Sequence, residues 1–180
     1  IKMKLLLCVT ILVVFMMSVS VMISARISFN TIYDRIETKE APASVNYIAE
    51  TFEGKMREAL SISRLVADNP HLLKWLKEGE DQEGEAVAID FLRATKDLGA
   101  DFVFMVTADK KKYYTNEGFF KEVSESNQRD SWFFDTLKSR QKVAINIDVD
   151  EKSHQLRAYL NVIMGSTSNP AGVAGCGINL

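Results

Sequence analysis

Between positions 5 and 25 the chain carries no charged residue, and at about 1.5 Å per residue such a helix covers the roughly 30 Å hydrocarbon core of a bilayer. Lys2 and Lys4 precede this apolar run, and Asp34 and Glu37 follow it. The positive-inside rule then puts the amino terminus in the cytoplasm and everything after about Ala25 outside the plasma (inner) membrane, with Arg26 weakening the asymmetry. A cleaved signal peptide is the alternative, because Ile23-Ser24-Ala25 has the small residues of a cleavage site. Its apolar region is, however, longer than the usual 7 to 15 or so residues. The sequence reads as a segment of a longer chain, with a second span and an output domain expected downstream.

Over 26–68 the apolar positions take helical spacing: Ile32, Ile36, Val45, Ile48, Phe52, Met56, Ala59 and Leu60 form one stripe with charges between them. This predicts a stalk helix continuing the span, kinked or restarted near Pro42, whose ring clashes with the preceding turn and which has no amide hydrogen. Two uses of the stripe stay open. It pairs two stalks in a parallel homodimer, or it packs on the chain's own domain.

Past Asn69-Pro70 the region 69–180 reads as one domain. It begins with two helices, 71–77 and 83–98, the second burying Val87, Ile89, Phe91 and Leu92. Strands follow at 102–107 and 112–115, then a polar connection 116–128 and a helix 130–139 carrying Trp132, Phe133, Phe134 and Leu137. Two strands then alternate cleanly. Val143, Ile145, Ile147 and Val149 oppose Asn146, Asp148 and Asp150 in the first, and Leu156, Ala158, Leu160 and Val162 oppose Arg157, Tyr159 and Asn161 in the second. A last strand at 171–180 contains Gly172, Gly175 and Gly177, which permit close approach of backbone or ligand. The order predicts an α+β fold with a five-stranded antiparallel sheet and helices on one face.

Charge narrows the function classes. With 22 basic and 24 acidic residues and a net charge of -2, no basic stripe for nucleic acid is present. The cysteines, Cys8 in the apolar run and Cys176 near the end, are too differently placed to form a disulfide. Only His71 and His154 are available, so no histidine cluster for a metal and no nucleophile–base pair is found. Asp148 and Asp150 lack the glycine and glutamate spacing of a calcium loop and read as strand-end carboxylates. We therefore expect no metal, no cofactor and no catalysis in this segment.

The polar faces of the two alternating strands make a candidate floor, with the 116–128 connection and the following helix as its cover. Arg129 suits a carboxylate through two parallel bonds, and Trp132 and Phe133 suit enclosure of the remainder. The candidate ligand set is Arg129, Trp132, Phe133, Asn146, Asp148, Tyr159, Asn161 and, on the second strand, Tyr114. The competing interpretation is a solvated sheet face beside ordinary core aromatics.

This combination resembles the Cache (PDC) sensor domains of bacterial transmembrane receptors, which are PAS-like. The resemblance rests on the order of span, stalk and sheet, on Arg129-Asp130-Ser131-Trp132-Phe133 and on the glycine-rich run Gly172 to Leu180. It implies extracytoplasmic sensing of a small ligand and transmission to a chemoreceptor, histidine kinase or diguanylate cyclase output. Amino-acid-binding members use the arginine and tryptophan for the carboxylate, a middle-strand tyrosine, and a last-strand aspartate for the amino group. Here Phe133 stands for a tyrosine, Gly177 stands at the aspartate position, and the middle-strand tyrosine is replaced near Asn146 or Ile147. An unpaired ammonium in a pocket costs about 1 to 3 kcal/mol. A carboxylate-like ligand therefore fits better, unless Asp148 replaces the missing charge. The alternative function is a ligand-free, membrane-tethered module for dimerisation or partner binding.

Overall fold

The computed structural model describes Lys2–Leu180, apart from the side chain of Leu5. The apolar run lies in α1 (Lys2–Arg35), which is long and apolar enough to cross a membrane by length and composition. A π-helical turn, Ile36–Glu40, follows, with the Ala41 amide donating to the Ile36 carbonyl. It leads into α2 (Ala41–Ala67), whose second residue is Pro42. A wide turn directly before a proline accommodates the ring without ending the helix.

The chain divides into two compact units, one up to Thr51 and one from Phe52 to Leu180. The second takes in the last part of α2, which the sequence pattern assigned to the stalk, because Ala59, Ile62, Val66 and Ala67 are buried in the domain's core. α3 (Pro70–Lys77) starts with Asn69, whose side chain accepts from the His71 and Leu72 amides, and with proline in the first turn. α4 (Gln82–Lys96) is capped by Asp81, which accepts from the Gly84 amide. Its buried stripe is Ala88, Leu92 and Thr95, and Val87 is exposed. The expectation that Val87 is core fails because it sits one residue, about 100° of helix, away from Ala88.

The sheet is antiparallel with six strands in the order β3-β2-β1-β6-β5-β4. These are β1 (Phe102–Thr107), β2 (Lys112–Thr115), β3 (Gly118–Glu122), β4 (Val143–Val149), β5 (Leu156–Gly165) and β6 (Pro170–Asn179). The sixth member is β3, which lies inside the stretch expected to be an irregular cover. Its five residues, Gly-Phe-Phe-Lys-Glu, are too few and too charged to show an alternation. One face of the sheet packs under α2, α3 and α4 through Val103, Met105, Tyr114, Leu160, Val162, Ala174 and Cys176. The other is covered in part by α5 (Ser131–Ser139), which places Phe133 and Phe134 on Phe104, Val106, Tyr113 and Val173. The rest of that second face is open to a cleft.

Gly84 shows how tightly the helical layer fits. A Cβ at this position would lie 2.1 Å from Cδ1 of Trp75, a ring that stays in place by donating from Nε1 to the Asp81 carbonyl at 3.1 Å. Helix propensity alone favours alanine over glycine by about 1 kcal/mol. The clash has the opposite sign, and overpacking of this kind costs about 1–3 kcal/mol. Gly84→Ala is expected to lower the melting midpoint by several degrees, at roughly 2–4 °C per kcal/mol. A higher midpoint in a circular-dichroism melt would show that propensity wins.

Candidate functional site

The cleft is built where β4 and β5 turn alternate side chains away from the helical core. Register sets Asn146 opposite Tyr159 and Ala144 opposite Asn161, so Asn146, Asp148, Tyr159 and Asn161 share the outer face. Their cleft is also lined by Arg129 and Trp132, by Phe102 and Phe104 of β1, Tyr113 of β2 and Phe120 of β3, and by Asp150, Glu151 and Lys152 of the β4–β5 turn. Its free volume is small, about 40 Å³.

The aromatic wall is a set of edge-to-face contacts. Phe104 meets Trp132 at 5.6 Å and Tyr159 at 6.1 Å between ring centroids, and Tyr113 meets Phe120 at 5.4 Å and Trp132 at 6.0 Å. β6 makes room for these rings. A Cβ on Gly175 would sit 2.5 Å from the Leu160 carbonyl oxygen and 2.6 Å from Cζ of Phe104. Gly177, opposite Tyr159 in the ladder, lies under the tyrosine ring. The close approach that these glycines permit is thus occupied by the protein's own rings.

Charges around the cleft are mostly paired. Asp150, buried at the end of β4, accepts from the Tyr159 hydroxyl at 3.1 Å and pairs with Arg157 at 3.0 Å. Its other oxygen accepts from the Ser153 amide and hydroxyl, each at 2.7 Å. Burial opposes the charge on Asp150, but the Ser153 bonds, Arg157 and Tyr159 outweigh it and hold the carboxyl below its ordinary value. Burial, reinforced by Asp150, pushes the Tyr159 hydroxyl up. Lys121 lies between Asp130 at 2.7 Å and Glu151 at 2.6 Å. Its partial burial disfavours the charge, and the two carboxylates overcome this and raise its pKa. Asp130 is buried and also accepts from the Ser124 amide at 3.0 Å, which fixes the 3-10 turn Gln128–Asp130 that carries Arg129.

Two charged groups lining the cleft have no ionic partner among the described residues: Arg129 and Asp148. On the floor, Asn161 donates to Oδ1 of Asn146 at 2.5 Å, while its own Oδ1 is buried with no partner.

Six of the eight residues singled out in the sequence line this cleft: Arg129, Trp132, Asn146, Asp148, Tyr159 and Asn161. The other two do not. Tyr114 lies on the opposite face, packed on Trp75 and donating to Glu85 at 2.9 Å. Its neighbour Tyr113 takes the cleft side, as period-two alternation requires of adjacent strand residues. Phe133 is buried under α5 against Phe134, about 100° around the helix from Trp132. Outside the candidate set were Phe102, Phe104 and Tyr113, which read as ordinary strand residues, Phe120, which read as part of the polar connection, and the charged turn Asp150–Lys152. The unbroken apolar run Phe102–Val106, which marks a strand buried on both faces, was the available signal for Phe104.

Asp150 gives the cleft a testable acid response. Its depressed pKa means that its contribution to stability is present above the ordinary carboxyl value of 3.8 and is lost as pH falls through the folded value. Asp150→Asn is expected to flatten the loss of stability between about pH 5 and about pH 2, as measured by urea unfolding. Parallel acid limbs in the two proteins would assign that sensitivity to other carboxylates.

No family model matches the chain. Solved structures do. The sensor domain of the Vibrio cholerae histidine kinase DctB superposes with a TM-score of 0.61 at 10% identity, covering 82% of this chain and 57% of that one. The ligand-binding domain of the Campylobacter jejuni chemoreceptor Tlp3, in complex with 4-methylisoleucine, gives 0.54 at 12% identity, covering 73% and 52%. That of the Pseudomonas aeruginosa PAO1 amino acid chemoreceptor PctC, in complex with GABA, gives 0.52 at 14% identity, covering 79% and 62%. The chain thus spans just over half the length of these proteins. At such identities the likeness is one of fold, and the chain shares the fold of these sensor and ligand-binding domains.

Proposed function

We propose that this chain is the sensing segment of a membrane-anchored receptor, that its cleft takes a small polar ligand bearing a carboxylate, and that occupancy is transmitted through the stalk to an output domain elsewhere in the protein. The observation that carries the proposal is Arg129, a guanidinium lining an aromatic-walled cleft with no anionic partner of its own. A planar fork of donors beside stacked rings suits a carboxylate with an apolar or polar remainder. Proteins of the same fold bind 4-methylisoleucine and GABA, which supports a ligand of that size. Asp148, also unpaired, is the group available for a ligand ammonium in place of the aspartate that Gly177 displaces.

In this reading α1 crosses the plasma membrane, and the domain from Phe52 onward lies outside. Exposed Ile32, Ile36, Val45 and Ile48 supply the apolar stripe for pairing two stalks in parallel. A second reading, a partner-binding module without a small ligand, is favoured by the small free volume of the cleft.

A thermal-shift screen of the detergent-solubilised chain against carboxylates, amino acids, amines and purines separates the two. A ligand at a hundred times its dissociation constant adds about 2.7 kcal/mol. Arg129→Ala is expected to abolish the shift while changing the stability of the free protein by less than about 1 kcal/mol, since the side chain holds nothing else in place. Silence across the panel in a folded protein would favour the partner-binding module, and a shift that survives Arg129→Ala would place the carboxylate elsewhere.

A further inference from the structure

The cleft is narrow, with about 40 Å³ of free volume, and a movable wall would widen it for a ligand the size of an amino acid. The elements around it differ greatly in how they are held. Of the floor strands, β5 is paired on both sides and backed by the helical layer while β4 is an edge strand held by β5 alone, and α5 is anchored by Phe133 and Phe134 in the core. The β4–β5 turn, by contrast, is exposed from Glu151 to Gln155, yet two of its side chains, Glu151 and Lys152, line the cleft.

That turn touches the far side of the cleft through side chains alone. Glu151 reaches Lys121 of β3 at 2.6 Å. Lys152 reaches Glu117, in the β2–β3 connection, at 2.9 Å, and its ammonium lies over the Phe120 ring at 4.9 Å from the centroid. β3 and β4 are the two edges of the sheet, so these contacts join its opposite ends across the open face. Ion pairs between long, solvent-accessible side chains are weak and sensitive to salt. At its inner end the turn is instead tied firmly. Asp150 holds the Ser153 amide and hydroxyl, Arg157 and Tyr159, and backbone bonds run from the Asp150 amide to the Gln155 carbonyl and from the His154 amide to the Asp150 carbonyl. The turn is thus tied at Asp150 and held across the cleft by the Glu151 and Lys152 pairs.

We propose that the β4–β5 turn is the gate of the cleft, held shut by the Glu151–Lys121 and Lys152–Glu117 pairs and opened by releasing them. The proposal rests on the cleft being the ligand site, and it adds how that site is regulated. Lys121 gives the latch its link to the ligand. The same ammonium binds Asp130, the residue beside Arg129 in the turn that presents it. An anion arriving at Arg129 therefore alters the field around the cation that holds the flap. Lys152, seated on Phe120, occupies a ring face that lines the cleft and leaves with the flap.

The test needs no ligand. Trp132 lines the cleft, and the only other tryptophan is Trp75. Acrylamide quenching of Trp132 fluorescence is measured in the full chain carrying Trp75→Phe, with and without the paired substitutions Glu151→Gln and Lys152→Met. The quenching constant is expected to rise by a factor of about two or more when the latch is removed, because these side chains make the turn's contacts with the far side of the cleft. Raising salt from about 0.05 M to about 1 M should move the parent toward the unlatched value and leave the substituted protein unchanged. If Trp75→Phe unfolds the chain, fluorotryptophan labelling of the unsubstituted protein reads the same exposure from the solvent isotope shift of the Trp132 signal, with the Trp75 signal as internal control. Equal exposure of Trp132 with and without the latch, at both salt concentrations, would overturn the gate. Failure of the ligand reading would show separately, as silence in the thermal-shift panel, with the quenching result unaffected.

Discussion

Adjacent residues of a strand point to opposite faces, and in β5 that alternation has to satisfy two environments at once. Ala158, Leu160 and Val162 lie in the core beneath the helices, while Arg157, Tyr159 and Asn161 serve the cleft. A slip of one residue would bury a guanidinium and an amide among aliphatic side chains and turn the leucine outward. The register is fixed from both sides. The Ser63 hydroxyl of α2 reaches the Leu160 carbonyl at 3.0 Å from the helical layer. From the strand next to it, Gly175 fits so closely beneath Phe104 and the Leu160 carbonyl that no side chain could occupy its place.

The same alternation accounts for the electrostatics. Polar residues pointing into a partly enclosed space must find partners or lose hydration without compensation. Asp150 with Arg157, Lys121 with Asp130 and Glu151, and Lys152 with Glu117 satisfy most of them. What remains is one unpaired cation, one unpaired carboxylate and one buried amide oxygen, contributed by Arg129, Asp148 and Asn161. These lie on three different segments, α5's leading turn, β4 and β5. A cleft whose other charges cancel internally discriminates among ligands by the few that do not.

The parts of this arrangement legible in the sequence are those with a strong local signature. The helices showed through caps such as Asn69-Pro70, β4 and β5 through unbroken alternation, and the cleft's two-strand floor through the polar half of that alternation. Arg129 and Trp132, expected on the cover of the floor and in the motif that carries the resemblance, line the cleft. Tyr114 was chosen where Tyr113 belongs, because adjacent aromatics in a four-residue strand give no sign of which one faces the helices. β3 was hidden for a related reason. Its pairing partner is β2, with a register shift between Tyr113 and Tyr114, and an irregular edge strand owes its existence to its neighbour more than to its own pattern. The flap was invisible because a short charged turn looks the same whether it faces solvent or reaches across the sheet to the opposite edge.

The contrast between the two ends of that turn bears on how binding produces a signal. A ligand shifts a conformational equilibrium only through a difference in its interactions with the two states. In the closed cleft, Oδ1 of Asn161 is buried without a partner, an unfavourable condition that a ligand donor removes. Arg129 and Asp148 are exposed and would exchange water for the charges of a ligand. The closed state therefore carries one unsatisfied amide oxygen on its floor and ion pairs at its rim, and filling the cleft would relieve the first as opening loosens the second. The floor strand β5 is also the strand whose Leu160 carbonyl meets Ser63 on α2. In the proposed receptor, a change in how β5 is loaded from the cleft side would reach the helix on the opposite face through one strand, with no longer chain of contacts required.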